Sequence, residues 1–456
     1  MKKNCALLFA FFFCLASYSQ NASMLTRTLH IPDSSSIRSS LIETWFESPA
    51  SVALENRAEI RTNEYGEYFQ VRCEEHDTTF SIIVAPRVLQ KVNVYHGEEV
   101  KEDIQYIYPE NATGSWVLTR NKRTGMPQNI RYYVAVDKNV YIQFTPSNNT
   151  TYADFVVYEN YVSRQVPTSF PFQRFYTLSI REISSITQNS LPWNYANPFL
   201  DAYSSSIKMV EEIRSRLTDL IYADNAMYDE YGKAIYITSG EPRPIHATDA
   251  RKKSLSSAGF VKWIADGLVY PITKNYLKRE PLIRPTVQYD EISYKGVLST
   301  KHSLSFSLDW TRNIAAAILS LYTGRTYLYE DSGVDMTEEP FVASFTKDGV
   351  KSALGYIKNC GYEVAGLPSL MYSLATKYPG EFYLVAIYET DRRVQPEVKM
   401  FNQCAAIFPY FDSNGVFRCV VFRNGAEFTL SEFCKSFSTD FVHLTRVRSS
   451  ERFSLP

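Results

Sequence analysis

The hydrophobic positions change period along the chain. Residues 65–73 alternate aromatic and polar side chains, and 79–85 form an apolar β-branched run. Residues 130–136 and 140–144 are two further runs, joined by Asp137-Lys138-Asn139, a short turn of suitable chemistry. The pattern continues over 155–161 and 175–183, with turn signals such as Asn111-Ala112-Thr113-Gly114 between runs. Strands at this spacing predict an antiparallel, β-sandwich-like domain over residues 20–190.

The period shifts near Pro192. Ile207, Val210, Ile213, Leu217 and Leu220 recur at helical spacing and predict a helix within 202–222. Gly240-Glu241-Pro242-Arg243-Pro244 is a break, so 191–244 reads as a helical linker. Beyond it, 256–268 and 308–322 read as helices, the second capped by Ser307 and closed by Gly324. Strands are expected over 382–388, 404–410 and 416–422, the last two flanking the hairpin signal Asp412-Ser413-Asn414-Gly415. The predicted fold class is α+β throughout, with a second α+β domain over 245–456.

The N-terminus adds a compartment. Lys2 and Lys3 precede an apolar run over 6–17, and Ser17 and Ser19 are small residues placed for cleavage. Residues 1–19 therefore read as a secretory signal peptide. No later apolar run approaches the length of a membrane span. The expectation is an exported protein of the bacterial periplasm or cell surface, with no membrane span. The 48 basic and 49 acidic residues leave a net charge of −1, which argues against a nucleic-acid partner held by bulk charge. Five of the seven cysteines follow the signal: Cys73, Cys360, Cys404, Cys419 and Cys434. Cys404 and Cys419 could face each other across the hairpin. No Cys-x-x-Cys occurs, so no structural zinc is expected, and no phosphate loop or Gly-x-Ser-x-Gly elbow is present. No cofactor is expected.

One segment carries chemistry. In Ser256-Ser257-Ala258-Gly259-Phe260-Val261-Lys262-Trp263, small residues open a helix, where free N–H groups and the positive helix end favour a nucleophile. The segment resembles the catalytic-helix start of the NlpC family of papain-like cell-wall peptidases, which carries Asp-Cys-Ser-Gly-Phe there. Ser256 then takes the Asp position and Ser257 the Cys. Pro379-Gly380-Glu381-Phe382 resembles the family's Gly-Asp-Leu turn. Cys404-Ala405-Ala406-Ile407-Phe408 resembles its His-Val-Gly-Ile-Tyr strand, with Cys404 at the general-base position and Gln403 beside it. The resemblance covers short pieces of the last 210 residues and implies a papain-like domain with an insertion at about 275–378. Both catalytic positions are substituted, and a serine without a base is a poor nucleophile. The resemblance thus implies a degenerate member, an inactive cysteine-peptidase-like protein, that binds cell-wall peptide, peptidoglycan or an envelope protein. Ser256, Trp263 and Gln403 are its candidate ligand contacts.

Two alternatives stand beside it. An active peptidase or amidase would use Ser257 with His246, oriented by Asp249, as a relocated base. A surface-interaction protein would act through the β-rich half. Asp309, opening the 308–322 helix, complements the helix dipole. Cys73-Glu74-Glu75-His76-Asp77 gathers metal-ligand types, but strand alternation splits them between two faces, and no metal site is expected.

Overall fold

A computed structural model describes residues 31–96, 99–244, 252–286, 308–353, 355–392 and 397–456. The expected signal peptide, His246, Asp249 and Ser307 lie outside the described residues. The chain is α+β and divides into two compact units. One is Met1–Phe199 with Phe341–Ala353; the other is Leu200–Pro340 with Leu354–Pro456.

The first unit is built on one ten-stranded antiparallel sheet. From Glu59–Thr62 to Asn160–Pro167 its strands pair in chain order, apart from a detached hairpin, Val88–His96 with Glu99–Ile107. Ala343–Thr346 and Gly349–Lys351 complete the far edge. These strands run as a meander in which chain neighbours are mostly sheet neighbours. Short helical segments pack against the sheet. Phe46 packs its ring 4.9 Å from Trp116 and 5.4 Å from Tyr176.

Residues 175–183, expected as a strand, are helical. A 3-10 turn, Phe172–Tyr176, is followed by the helix Ile180–Thr187. The reason is local. Ser179 and Glu182 form a reciprocal capping box, and this cap overrides the apolar alternation. Asp33 Oδ2 accepts from the Ile180 N–H at 2.7 Å, which ties the helix start to the N-terminal segment. Arg38 is fully buried beside it. Its guanidinium donates to the carbonyls of Tyr176 (2.7 Å) and Leu178 (3.0 Å) and to Ser34 Oγ (3.0 Å), and it lies 5.3 Å over the Trp116 ring.

The second unit centres on a six-stranded antiparallel sheet. Its order is Tyr362–Glu363, Phe441–Arg448, Glu381–Asp391, Val398–Phe411, Phe417–Arg423, Ala426–Thr429. Helices cover both faces. Phe382, Leu384, Cys404, Ala406 and Phe408 pack in one core with the helices Ser257–Thr273 and Trp310–Thr323. Tyr383, Val385, Ala405 and Ile407 pack in another with Leu367–Lys377 and Leu430–Ser436. The odd and even positions of each strand therefore serve different cores.

Residues 191–244, expected as a helical linker, hold the helix Ser204–Arg216 and three short strands. One of these, Leu220–Tyr222, pairs in parallel with Lys253–Leu255 just ahead of the Ser257 helix. Residues 275–378, expected as an insertion, supply Trp310–Thr323 and Leu367–Lys377, one helix for each face of the sheet.

Arg38 should be indispensable to the first unit. Arg38→Met strands buried carbonyls and Asp33, and should cost roughly 3–5 kcal/mol in a urea titration. Arg61→Ala, which removes a surface pair only, should shift stability by less than about 1 kcal/mol.

Candidate functional site

The start of the Ser257 helix is defined by three close approaches. Ser256 is the cap: its hydroxyl accepts from the Gly259 N–H at 3.2 Å, and its own N–H donates to the Ala226 carbonyl at 2.9 Å. Ser257 is buried. Its hydroxyl donates to the Cys404 carbonyl at 3.2 Å and accepts from the Cys404 N–H. Gly259 is pressed against the strand Ala226–Tyr228, where an added Cβ would lie 2.3 Å from the Ala226 carbonyl oxygen. Phe260 then enters the core. Ala258, partly buried, packs against the same core, so each residue of Ser-Ser-Ala-Gly-Phe has a packing or hydrogen-bonding task at this spot.

The geometry brings Ser257 and Cys404 together. Both hydrogen bonds of the Ser257 hydroxyl go to the Cys404 backbone, with no imidazole or carboxylate among these partners. The Cys404 thiol is buried, and burial followed by the charge of Asp309 pushes it far above its ordinary value. It remains a neutral thiol and cannot take a proton from serine. Gln403 projects to the opposite face, as alternation requires. Its Nε2 donates to Glu389 Oε1 at 3.1 Å and its Oε1 accepts from Arg423 at 2.9 Å. Cys419 pairs with Pro409 in the hairpin register, so it does not stand opposite Cys404. All five described cysteines are free thiols.

A second cluster lies on the same sheet row. Ala386 is the register partner of Cys404 on one side and of His443 on the other. His443 is therefore two strand spacings, about 10 Å, from Cys404 on the same face. Its Nδ1 is 2.6 Å from Asp309 Oδ2 and its Nε2 is 3.5 Å from Asp335 Oδ2. Arg312 completes the group, with Nη2 2.9 Å from Asp335 Oδ2 and Nη1 donating to the Thr286 carbonyl at 3.1 Å. Asp309, not the expected Ser307, caps the Trp310–Thr323 helix: its Oδ1 accepts from the Thr311 N–H at 2.8 Å. Gly324 closes that helix with φ 68°.

Electrostatics within the cluster are mutual. Burial alone would raise Asp309, but the contact and charge of His443, then Arg312, hold it below its ordinary value. Asp335 behaves likewise. Burial would lower His443, but the two carboxylates outweigh it and raise it. The group sets two carboxylates against an imidazole and a guanidinium, and of its side chains Asp335 is the most exposed. The group ties together the Trp310 helix, the segment around Asp335 and the strand Phe441–Arg448. Thr445 Oγ1 adds a bond to the Thr311 carbonyl at 3.2 Å.

Trp263 lies one turn along the Ser257 helix from Gly259. It forms part of the wall of a cavity of about 260 Å³, together with Tyr228, Tyr231, Tyr276 and the charged Lys253, Lys262 and Asp266. Neither Ser257 nor Gln403 lines it. Among the described residues, no group of three or more His, Cys, Asp or Glu has metal-holding geometry. In the 73–77 run, Glu75 pairs with Lys122 at 2.7 Å and His76 contacts Ser81 Oγ at 3.2 Å. No described helix is long and apolar enough to cross a membrane.

Two outcomes test this geometry. His443 has a folded pKa above 6.5, so its stabilisation is complete below that pH and is lost as pH rises through the raised value. Asp309 and Asp335 have values below 3.8, so theirs is present above it and lost as pH falls through the lowered values. Thermal stability should therefore peak between these limits. His443→Gln should flatten the alkaline slope and cost roughly 3–5 kcal/mol. Separately, Gly259→Ala should overpack the helix start and cost about 1–3 kcal/mol by denaturant titration.

Residues 27–195, within the first unit, match a family model described as Domain of unknown function (DUF8515). No curated protein and no solved structure matches the chain.

Proposed function

We propose that this chain is an exported bacterial binding protein whose second unit is a degenerate papain-like domain of the NlpC type. It holds cell-wall peptide or another envelope ligand without turning it over. The observation that carries this reading is the fate of the Ser257 hydroxyl. Where the resembled family sets a cysteine thiol opposite a histidine, both hydrogen bonds of Ser257 are spent on the Cys404 backbone. A hydroxyl so engaged, beside a neutral thiol, has no base among these partners to take its proton, as acyl transfer needs. The thiol–imidazole pair of the resembled family has no counterpart in these two residues, while a cavity flanked by Trp263 adjoins the same helix.

A second reading draws on the first unit. Its detached hairpin exposes Leu89, Ile104 and Tyr106, an apolar set of the kind that marks an interaction surface. In this reading the β-rich half carries the partner, and changes in the second unit leave binding unaltered.

Calorimetry and mass spectrometry with muropeptides separate these readings. Saturable binding with no cleavage product, retained in Ser257→Ala, is the expected result. Cleavage that disappears in Ser257→Ala would overturn it in favour of an active peptidase. Binding that follows the hairpin variant Leu89→Asp instead would favour the second reading.

A further inference from the structure

The cavity beside Trp263 is walled largely by aromatic rings. Trp263 stands on the Ser257 helix, its ring 5.8 Å from Phe260 at an interplanar angle of 28°. Tyr276 stacks on Tyr270 at 4.5 Å and 17°. Tyr228 comes from the strand Ala226–Tyr228 and Tyr231 from the turn that follows it. That turn is built on Asp229, whose Oδ1 accepts from the Tyr231 and Lys233 N–H groups at 2.9 and 2.7 Å. Gly232 completes it at φ +76°, where an added Cβ would lie 3.6 Å from the Tyr276 ring. Rings held by such neighbours lose little freedom when a guest arrives. Tyr231 is 76% exposed, which puts the open side of the cavity at this turn.

The charges in the wall are matched. Lys262 and Asp266, one turn apart, form an ion pair at 2.6 Å with side chains only 1% and 6% exposed. The other Asp266 oxygen accepts from the Leu277 N–H at 2.8 Å. Lys253 and the Trp263 indole N–H, the latter at 3.4 Å, both donate to the Pro456 oxygen. Each cation thus has an oxygen partner already, and the wall calls for no external ion. Burial pushes the Tyr228 and Tyr276 phenols up, so both stay neutral. An ammonium has three donors and a carboxylate about four acceptor positions. The Lys262–Asp266 pair, with one donor and two acceptor positions used in these bonds, has capacity for more.

Such walls favour one kind of guest. The face of an aromatic ring is negative and attracts the slightly positive C–H groups of a saturated ring. Polar groups taken into a cavity need hydrogen-bond partners, and a hydroxyl, being donor and acceptor, can meet a carboxylate and an ammonium together. A pyranose combines these features: neutral, with C–H groups on its faces and hydroxyls on its edge. The volume of about 260 Å³ lies below the roughly 300 Å³ at which drug-sized pockets begin and suits a single ring.

We propose that this cavity binds one neutral pyranose residue. The sugar stacks against Tyr276 and Trp263, its hydroxyls bond to Lys262 and Asp266, and Tyr231 flanks it at the open side. A free monosaccharide and the terminal residue of a glycan offer the same chemistry. The assignment stands on the cavity walls and does not depend on the papain-like reading.

Saturation-transfer NMR and calorimetry on the full chain test it with N-acetylglucosamine, methyl β-glucoside, methyl β-galactoside, the N-acetylglucosamine trimer, and phenol as a flat apolar control. At least one of the sugars should bind saturably. Tyr231→Ala and Tyr276→Leu should each weaken it about three- to tenfold. The exposed Tyr231 can be removed with the thermal unfolding midpoint unchanged, so this variant reports on binding alone. Tighter binding of the trimer assigns the site to glycan ends, and binding of a monosaccharide at least as tight assigns it to free sugars. No saturable binding of any sugar, saturable binding of phenol alone, or sugar affinity unchanged in both variants would overturn the proposal. Muropeptide binding that persists in both variants would in that event leave the preceding reading standing.

Discussion

The second unit depends on how closely the Ser257 helix is allowed to approach its neighbours. At its first turn the helix touches two backbones at once: the Ala226 carbonyl against Gly259 and the Cys404 amide against the Ser257 hydroxyl. Half-way along, Gly267 admits the chain again. A Cβ there would meet the Phe453 ring at 2.8 Å and Leu455 at 3.1 Å, and the Gly267 carbonyl accepts from the Ser454 N–H at 3.0 Å. Small residues in this helix therefore mark backbone crossings. The hydroxyl that invites comparison with a nucleophile is one of the groups that makes a crossing possible.

Buried charge is the second organising element. Asp309, His443, Asp335 and Arg312 neutralise one another behind the sheet, whereas Lys262 and Asp266 share their environment with a further lysine. Replacing a balanced buried group by apolar residues is often neutral in stability, while removing one member is costly. The first group accordingly reads as a fastening. The second pair lies beside the cavity that Trp263 walls.

Much of this was legible in the sequence. The strands around 382–388, 404–410 and 416–422 and the hairpin at Asp412–Gly415 follow from alternation and turn chemistry, which act locally. The helices at Ser257 and Trp310 follow from apolar spacing and caps. Residues 175–183 failed because a capping box outweighed an apolar run. The strand Phe441–Arg448 was missed, and with it His443. Its Val-His-Leu-Thr alternation resembles a half-exposed strand, yet both faces are covered and the polar row is buried among charges. The signal was a histidine and a threonine on a strand too central to be wet. Asp335 had no local signal, because only the fold carries it to His443.

The route of the chain has a consequence for dissecting the protein. Residues 341–353 leave the second unit's sequence to add two strands beside Asn160–Pro167, and the chain then returns. The stretch matching the family model, 27–195, omits them. A fragment cut to that stretch would bare the carbonyls of Glu159 and Tyr161, which accept from the Phe345 and Val342 N–H groups, an open template for pairing with another copy. The first unit is thus a discontinuous piece of chain, and its solubility in isolation hinges on a thirteen-residue loan from far downstream.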